Sequence, residues 1–293
     1  MRLASFRDGR RTSFGAVVDG GIVDLGRRLG PEMRSVRALL AAGGLEGARR
    51  LARATPDVGL DEVQLLRPVI APEKVLCVGV NYVNRNEEYR DASALPAFPS
   101  VFMRTPGSLV GHGETLVIPH ESSQLDYEGE IAIVIGLGGR RIPEADAARH
   151  IAGVTCMNEG TIRDWTRHGK FNVTQGKNFE RTGALGPWLV TSDELEGFDD
   201  LQVSTRVNGE RRQHDTTANL LFPFRYLVSY LSTFTALAPG DVIATGTPTG
   251  AGIRHDPPRF LVEGDRVEVE VSGVGILANA VAREAPASAE DRE

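Results

Sequence analysis

Five apolar residues in unbroken succession, Ile131, Ala132, Ile133, Val134 and Ile135, follow directly on the acidic stretch Asp126-Tyr127-Glu128-Gly129-Glu130. A short continuous run of this kind reads as a strand buried on both faces. Side chains two apart in a strand point to one face. Glu128 and Glu130 therefore stand side by side at the start of the strand, with Asp126 continuing the row. Like charges held close repel, and in an apolar setting each also loses hydration. Two arrangements relieve the conflict: the carboxylates sit at a solvated strand end, or they share a cation. Hard divalent ions such as Mg²⁺ take oxygen ligands, commonly one or two carboxylates plus substrate oxygens. A catalytic site of that type would draw a further carboxylate from a distant segment.

The rest of the chain has a similar grain. From about residue 68 onward, short β-rich runs broken by Gly and Pro dominate: VFMRTP, GPWLVT, STRVNGE, GDVIATGTP and GDRVEVEV. Two helices are predicted among them, PEADAARHIAGV with Pro143 in its first turn, and PFRYLVSYLSTFTAL. Residues 1–67 read as a separate small α+β domain. Its β-runs at 13–19 and 22–25 flank Gly20-Gly21, the composition of a tight hairpin turn. PEMRSVRALLAAGG and LEGARRLARAT then follow with helical spacing. Pro68 and Pro72 mark a boundary, residues 68–283 form the main domain, and the polar tail at 284–293 reads as disordered. The fold class is α+β and β-dominated, without regular βαβ alternation.

Composition narrows the function. A net charge of -6 and the lack of any basic cluster give no reason to expect nucleic acid or a membrane surface as partner. The two cysteines, Cys77 and Cys156, lie in the apolar runs VLCVGV and GVTCMN and read as reduced core residues of a cytoplasmic protein. MRLASFRDGRR lacks the apolar stretch of a secretory signal. GLGGRR lacks dinucleotide-fingerprint spacing, GTPTGAG lacks the Lys-Ser/Thr ending of a phosphate loop, and there is no HExxH, CxxC or GxSxG.

The acidic pair remains, and the segment CMNEGTIRDWTRHGKFNVTQGKNF at 156–179 is the place to seek its third member. It carries Glu159 at the end of an apolar run and Lys177 in a Gly-Lys-Asn context. Arg163 and Asp164 read as a structural ion pair, or Asp164 as a helix-start acid.

Seven pieces, KVLCVGVNY, FMRTPGSLVGHGE, LDYEGEIAIVIG, NEGTIRDW, GKNF…LGPWLVT, VNGERRQ and LAPGDVIATGTPTGAG, resemble the fumarylacetoacetate hydrolase family in order over nearly all of residues 70–280. The resemblance implies rolled and packed mixed β-sheets with flanking helices, a short N-terminal domain and commonly a homodimer. It implies one Mg²⁺ or Mn²⁺ per subunit, held by Glu128, Glu130 and Glu159, the last where the family usually carries Asp. Lys177 matches a lysine near the substrate carboxylate or enolate, Thr247 the loop that closes over substrate, and Arg104 a basic residue after an apolar strand. Substrates of such enzymes are small 2-oxo or 2-hydroxy carboxylic acids.

One position departs from the family. Many hydrolytic relatives carry a histidine followed three residues later by a glutamate, the two acting together on water. Glu88 persists here as candidate proton carrier, but Arg85 occupies the histidine position. Arginine stays protonated at any working pH and cannot act as a base. It can bind a substrate carboxylate or hold Glu88 ionised. His112 and His168 are the alternative bases. The leading expectation is metal-dependent hydrolysis of a C–C bond in a 2,4-dioxo acid of the acylpyruvate or fumarylpyruvate type, from aromatic catabolism. The alternatives are an isomerase or decarboxylase of the 2-hydroxyhepta-2,4-diene-1,7-dioate type, and a catalytically silent homodimer that binds a small acid.

Overall fold

The apolar run forms the strand Gly129–Ile135, buried at every residue, near the middle of an eleven-stranded sheet. The computed structural model describes residues 1–85, 88, 94–170 and 172–285. Residues 286–293 of the expected disordered tail lie outside the described residues. Ile151–Asn158 and Val242–Ala244 pair antiparallel with the central strand, one on each side. Beyond Val242–Ala244 come Val75–Gly79, parallel to it, and the edge strand Ser100–Arg104. Beyond Ile151–Asn158 come Gly183–Thr191 and then Arg2–Asp8, Arg11–Val18 and Gly21–Asp24. The strand Arg2–Asp8 thus joins residues from before Pro68 to the sheet of the main chain, with Arg2 opposite Val190.

Strand parity divides the core. Ile131, Ile133 and Ile135 pack with Val203, Val269 and Val271 of a second, five-stranded sheet. Ala132 and Val134 face the other way, Ala132 toward Val75 and Cys77 and Val134 toward Leu3 and Phe14. Glu128 and Glu130 share the parity of Ala132 and Val134 and so face away from the second sheet. Gly129 between them lies against it. A Cβ there would stand 1.9 Å from Thr205 Oγ1, so the close approach of the sheets admits only glycine between the two glutamates.

Several local expectations change. The hairpin register pairs Val18 with Gly21, so the turn is Asp19-Gly20, with Gly20 at φ +84. Gly21 belongs to the strand, its missing Cβ leaving room for the Val58 carbonyl. The first predicted helix of the main domain is a 3-10 segment, Glu144–His150, and its IAGV portion opens the strand Ile151–Asn158. Its β-branched residues pair with the central strand, and tertiary pairing overrides local periodicity. Val36–Ala41, Leu45–Leu51 and Phe224–Phe234 are helices as expected. Cys77 and Cys156 are buried free thiols. No helix among the described residues is long and apolar enough to cross a membrane.

Candidate functional site

Antiparallel pairing brings three strand ends to the same end of the large sheet. Glu128 directly precedes Gly129–Ile135 and Glu130 is its second residue. Glu159 follows Ile151–Asn158, and Thr247 comes shortly after Val242–Ala244. Lys177 arrives on the short helix Thr174–Asn178. These five and Arg85 line one pocket of about 720 Å³. Arg104 and Glu88 are not among its described lining residues.

Opposite charges hold the cluster together. The Lys177 ammonium donates to Glu128 Oε2 at 2.5 Å and also to Glu159 Oε2. Glu128 further accepts from Thr161 Oγ1 at 2.7 Å and from Arg163 Nη2 at 2.8 Å. Arg104, with its side chain fully buried, donates to Glu159 Oε1 and the Gly160 carbonyl, both at 2.7 Å. Its other donors go to Ser108 Oγ at 3.0 Å and Thr182 Oγ1 at 3.1 Å. The whole guanidinium is engaged by the protein, which fixes the orientation of Glu159.

Glu130 is different. Among the described residues its side chain has one hydrogen-bond partner, the Gly246 N–H, 2.8 Å from Oε2, and it forms no ion pair. Burial pushes its carboxyl well above the ordinary range, and the charges of Glu159 and Glu128 push it further. Glu128 is equally buried, but Arg163, Lys177 and Arg85 outweigh that effect and hold it well below the ordinary range. Burial would lower the Lys177 ammonium, yet Glu128 and Glu159 hold it above its usual value.

This donor set can be tested against a divalent cation. Three buried carboxylates are the oxygen-rich chemistry that Mg²⁺ and Mn²⁺ take, and Glu130 lacks a counter-charge. Among the described residues no three acidic groups stand close enough together to hold an ion as they are arranged. The Lys177 ammonium contacts Glu128 and Glu159 together, so a metal on these ligands requires it to withdraw from at least one of them. The residues fit the ion in kind, with Lys177 meeting the need for positive charge in this arrangement.

Around the cluster, several expectations are revised. Asp126 does not join the row of glutamates. Its oxygens accept the N–H groups of Gly252 at 2.8 Å and Ile253 at 3.0 Å, and Arg163 Nε at 2.7 Å. Arg163 accordingly pairs with Asp126 and Glu128 instead of Asp164, because it faces the cluster while Asp164 takes the Ser122 hydroxyl at 2.7 Å. Asp164 does stand in the first turn of the 3-10 segment Arg163–Arg167. Arg85 pairs with Glu88 and lies 3.7 Å from Glu128 Oε1. The other Glu88 oxygen accepts the Gly250 N–H at 2.6 Å. Neither alternative histidine lines the pocket: His168 stacks on Trp165 at 4.1 Å, and His112 borders a separate cavity.

Gln213 is a site residue that the sequence reading missed. Fully buried on the second sheet, it accepts from Gly129 N at 2.9 Å and donates to Thr247 Oγ1 at 2.8 Å and the Pro248 carbonyl at 2.9 Å. Thr247 in turn donates to the Gly129 carbonyl at 3.0 Å. One amide thereby ties the backbone between the two glutamates to the Thr247 loop. Its only sequence signal was its place at the end of VNGERRQ.

Comparison with known proteins follows the same lines. The description "Fumarylacetoacetate (FAA) hydrolase C-terminal" matches residues 74–282. The chain is 36% identical over 267 residues to oxaloacetate tautomerase Fahd2a, mitochondrial, of Rattus norvegicus, covering 90% of this chain and 85% of that one. The crystal structure of 5-carboxymethyl-2-hydroxymuconate delta-isomerase from Mycobacterium smegmatis superposes with a TM-score of 0.77 at 30% identity, covering 98% of this chain and 100% of that one. Maleylpyruvate hydrolase from Sphingobium sp. SYK-6, in complex with manganese (II) ion and pyruvate, gives a TM-score of 0.80 at 27% identity over 97% of this chain and 100% of that one. The relatives thus include a tautomerase, an isomerase and a hydrolase. With motifs, sheet topology and most of its length in agreement, the chain belongs to the fumarylacetoacetate hydrolase family.

Proposed function

We propose that this protein is a divalent-metal-dependent tautomerase or isomerase of a small 2-oxo carboxylic acid, with one Mg²⁺ or Mn²⁺ per subunit on Glu128, Glu130 and Glu159. The observation that carries the reading is the Arg85–Glu88 ion pair. Hydrolysis requires a base that deprotonates water, and an arginine stands where hydrolytic relatives place histidine. No histidine lines the pocket among the described residues. Moving one proton between carbon and oxygen needs no activated water, only a proton carrier and stabilisation of an enolate. The likeness to a rat oxaloacetate tautomerase supports the same choice.

When bound, a divalent ion supplies Lewis-acid stabilisation of negative charge at the substrate's 2-oxo oxygen. Lys177 holds a proton at Nζ inside the pocket and is the proton carrier we assign. Withdrawn from one of its glutamates, it can donate toward the oxygen or carbon of an enolate. Arg104 orients Glu159, and Gln213 with Thr247 fixes the backbone of the glutamate pair. Glu88, held by Arg85 and the Gly250 N–H, keeps the Arg85 guanidinium turned toward the cluster.

The test is product analysis with oxaloacetate and with an acylpyruvate, in the presence of Mg²⁺ or Mn²⁺. Accelerated enol–keto conversion, seen as an absorbance change without a change of mass, is the expected result. Two carbon fragments would establish the originally expected hydrolase instead, a reading supported by the likeness to maleylpyruvate hydrolase. Carbon dioxide release would establish a decarboxylase.

A further inference from the structure

We infer that Lys177 is a tethered competitor for the metal site, and that Phe102 is the positioning residue whose ring keeps the ammonium when a divalent ion displaces it from the glutamates. The inference rests on the reading above that Glu128, Glu130 and Glu159 hold such an ion. Lys177 Nζ donates to Glu128 Oε2 and Glu159 Oε2 together, and it also reaches the Glu159 carbonyl at 3.3 Å. An ion shared by those two carboxylates belongs where the ammonium stands. Two cations repel at such a distance, so metal and ammonium exclude each other there.

The neighbouring contacts decide which cation yields. Arg163 also binds Glu128 but is pinned by Asp126, and Arg104 also binds Glu159 but is pinned by Ser108, Gly160 and Thr182. Both guanidiniums stay when Lys177 leaves, so neither glutamate is stranded without a counter-charge. Lys177 has no ion pair beyond these two glutamates among the described residues. Its flexible four-carbon stem lets the ammonium move while the backbone stays.

The ring that receives it is close by. Nζ stands 5.1 Å from the centroid of Phe102, within the range of a cation–π attraction. Phe102 lines the pocket on the edge strand Ser100–Arg104 and packs on the core cluster of Val75, Cys77 and Leu109. Ring and stem are tied to each other. Asn178, at the end of the helix that carries Lys177, accepts from Thr105 N at 2.6 Å and donates to the Met103 carbonyl at 3.2 Å. An aromatic face attracts an ammonium without cancelling its charge, so the displaced Lys177 stays in the pocket as a protonated donor. The ring's share grows on metal binding, because the carboxylates that compete for the ammonium are then engaged by the ion.

Mn²⁺ affinity, read from the electron paramagnetic resonance of the free ion, tests this in the wild type, Lys177→Met, Phe102→Leu, Phe102→Tyr and the double variant Phe102→Leu/Lys177→Met. Lys177→Met should bind Mn²⁺ about tenfold or more tightly than the wild type, the scale of one charge-assisted contact no longer in competition. Phe102→Leu should weaken Mn²⁺ binding about three- to fivefold, the scale of a cation–π contact, and Phe102→Tyr should retain the wild-type affinity. In the Lys177→Met background Phe102→Leu should change nothing, since the ammonium is gone. A second measurement keeps Lys177 and decides the matter if its variant does not fold. On addition of Mg²⁺ the Lys177 Cε protons of the wild type should shift upfield in the NMR spectrum as they settle over the ring face, and should not do so in Phe102→Leu. Lys177→Met binding no tighter than the wild type, a Phe102→Leu affinity equal to the wild type's or lowered even without Lys177, or Lys177 protons unmoved by Mg²⁺ overturns the inference. Failure of the parent reading looks different. Mn²⁺ bound by neither the wild type nor Lys177→Met overturns the metal site along with the competitor, whereas equal binding by both removes the competitor alone. Mn²⁺ binding as expected without enol–keto conversion sinks the tautomerase and leaves Lys177 and Phe102 in their roles.

Discussion

Arg85 donates to Glu88 three residues further on, and the same guanidinium stands 3.7 Å from Glu128 Oε1. One side chain thus links a glutamate outside the pocket lining to the acid cluster within it. With the Gly250 N–H on its other oxygen, Glu88 has both oxygens engaged. A carboxylate held this way is a poor base for water while Arg85 remains.

Replacing Arg85 by histidine should change the balance of reactions. The substitution removes a fixed positive charge and places a group that can exchange protons near neutral pH beside Glu88. Arg85→His should raise hydrolytic turnover of an acylpyruvate by roughly 10² over the wild type, at the lower end of general base catalysis. Chromatographic counting of the two fragments measures it. An unchanged rate would show that something other than Arg85 withholds hydrolysis.

Glu130 should matter for metal and little for the metal-free fold. Its carboxyl is buried without a counter-charge and is pushed up by Glu159 and Glu128. Glu130→Gln therefore removes a repulsion, and the metal-free protein should melt at or slightly above the wild-type temperature. The rise in melting temperature on adding Mn²⁺ should shrink, with affinity lower by at least about tenfold. Thermal melts of both proteins with and without metal decide this, and an unaltered metal response would remove Glu130 from the ligand set.

Gly129 should tolerate no side chain. A Cβ there lies 1.9 Å from Thr205 Oγ1, so Gly129→Ala should cost about 1–3 kcal/mol as overpacking and displace both glutamates. Trimming the obstacle in Gly129→Ala/Thr205→Ala should recover more than half of that loss in urea unfolding. If the double variant is as unstable as the single one, the contact with Thr205 is not the cause.

The thiols should be inert and should make the fold sensitive to alkali. Burial pushes Cys77 well above its ordinary value of 9.0 and Cys156 up to about 12. At pH 8 only about one Cys156 thiol in 10⁴ is ionised. Iodoacetamide should leave both cysteines unmodified in the native protein and label both in urea. In the unfolded chain they ionise near 9, so stability is fully present below that pH. It is then lost as pH rises, for Cys156 through the window from 9 to about 12, by up to about 1.4 kcal/mol per pH unit per thiol. Replacing both by alanine should flatten that alkaline decline in pH-dependent unfolding.

The sequence by itself determined the buried strand, the adjacent glutamates at its start and the β-dominated class. These depend on period and composition, which are local. The ordered motifs also placed the chain in its family, together with Glu159, Lys177 and Thr247 as companions of the glutamate pair. It could not determine who neutralises whom. Arg163 and Asp164 are neighbours in sequence, yet Arg163 crosses to Asp126 and Glu128, and Asp126 turns from the glutamate row to the loop at Gly252. Arg104 goes to Glu159, and Gln213 ties the glutamates to Thr247 from the other sheet. Such pairings depend on register and on the packing of one sheet against another, through-space relations that no local pattern encodes. For the same reason IAGV looked helical by periodicity and became a strand once the central strand lay beside it.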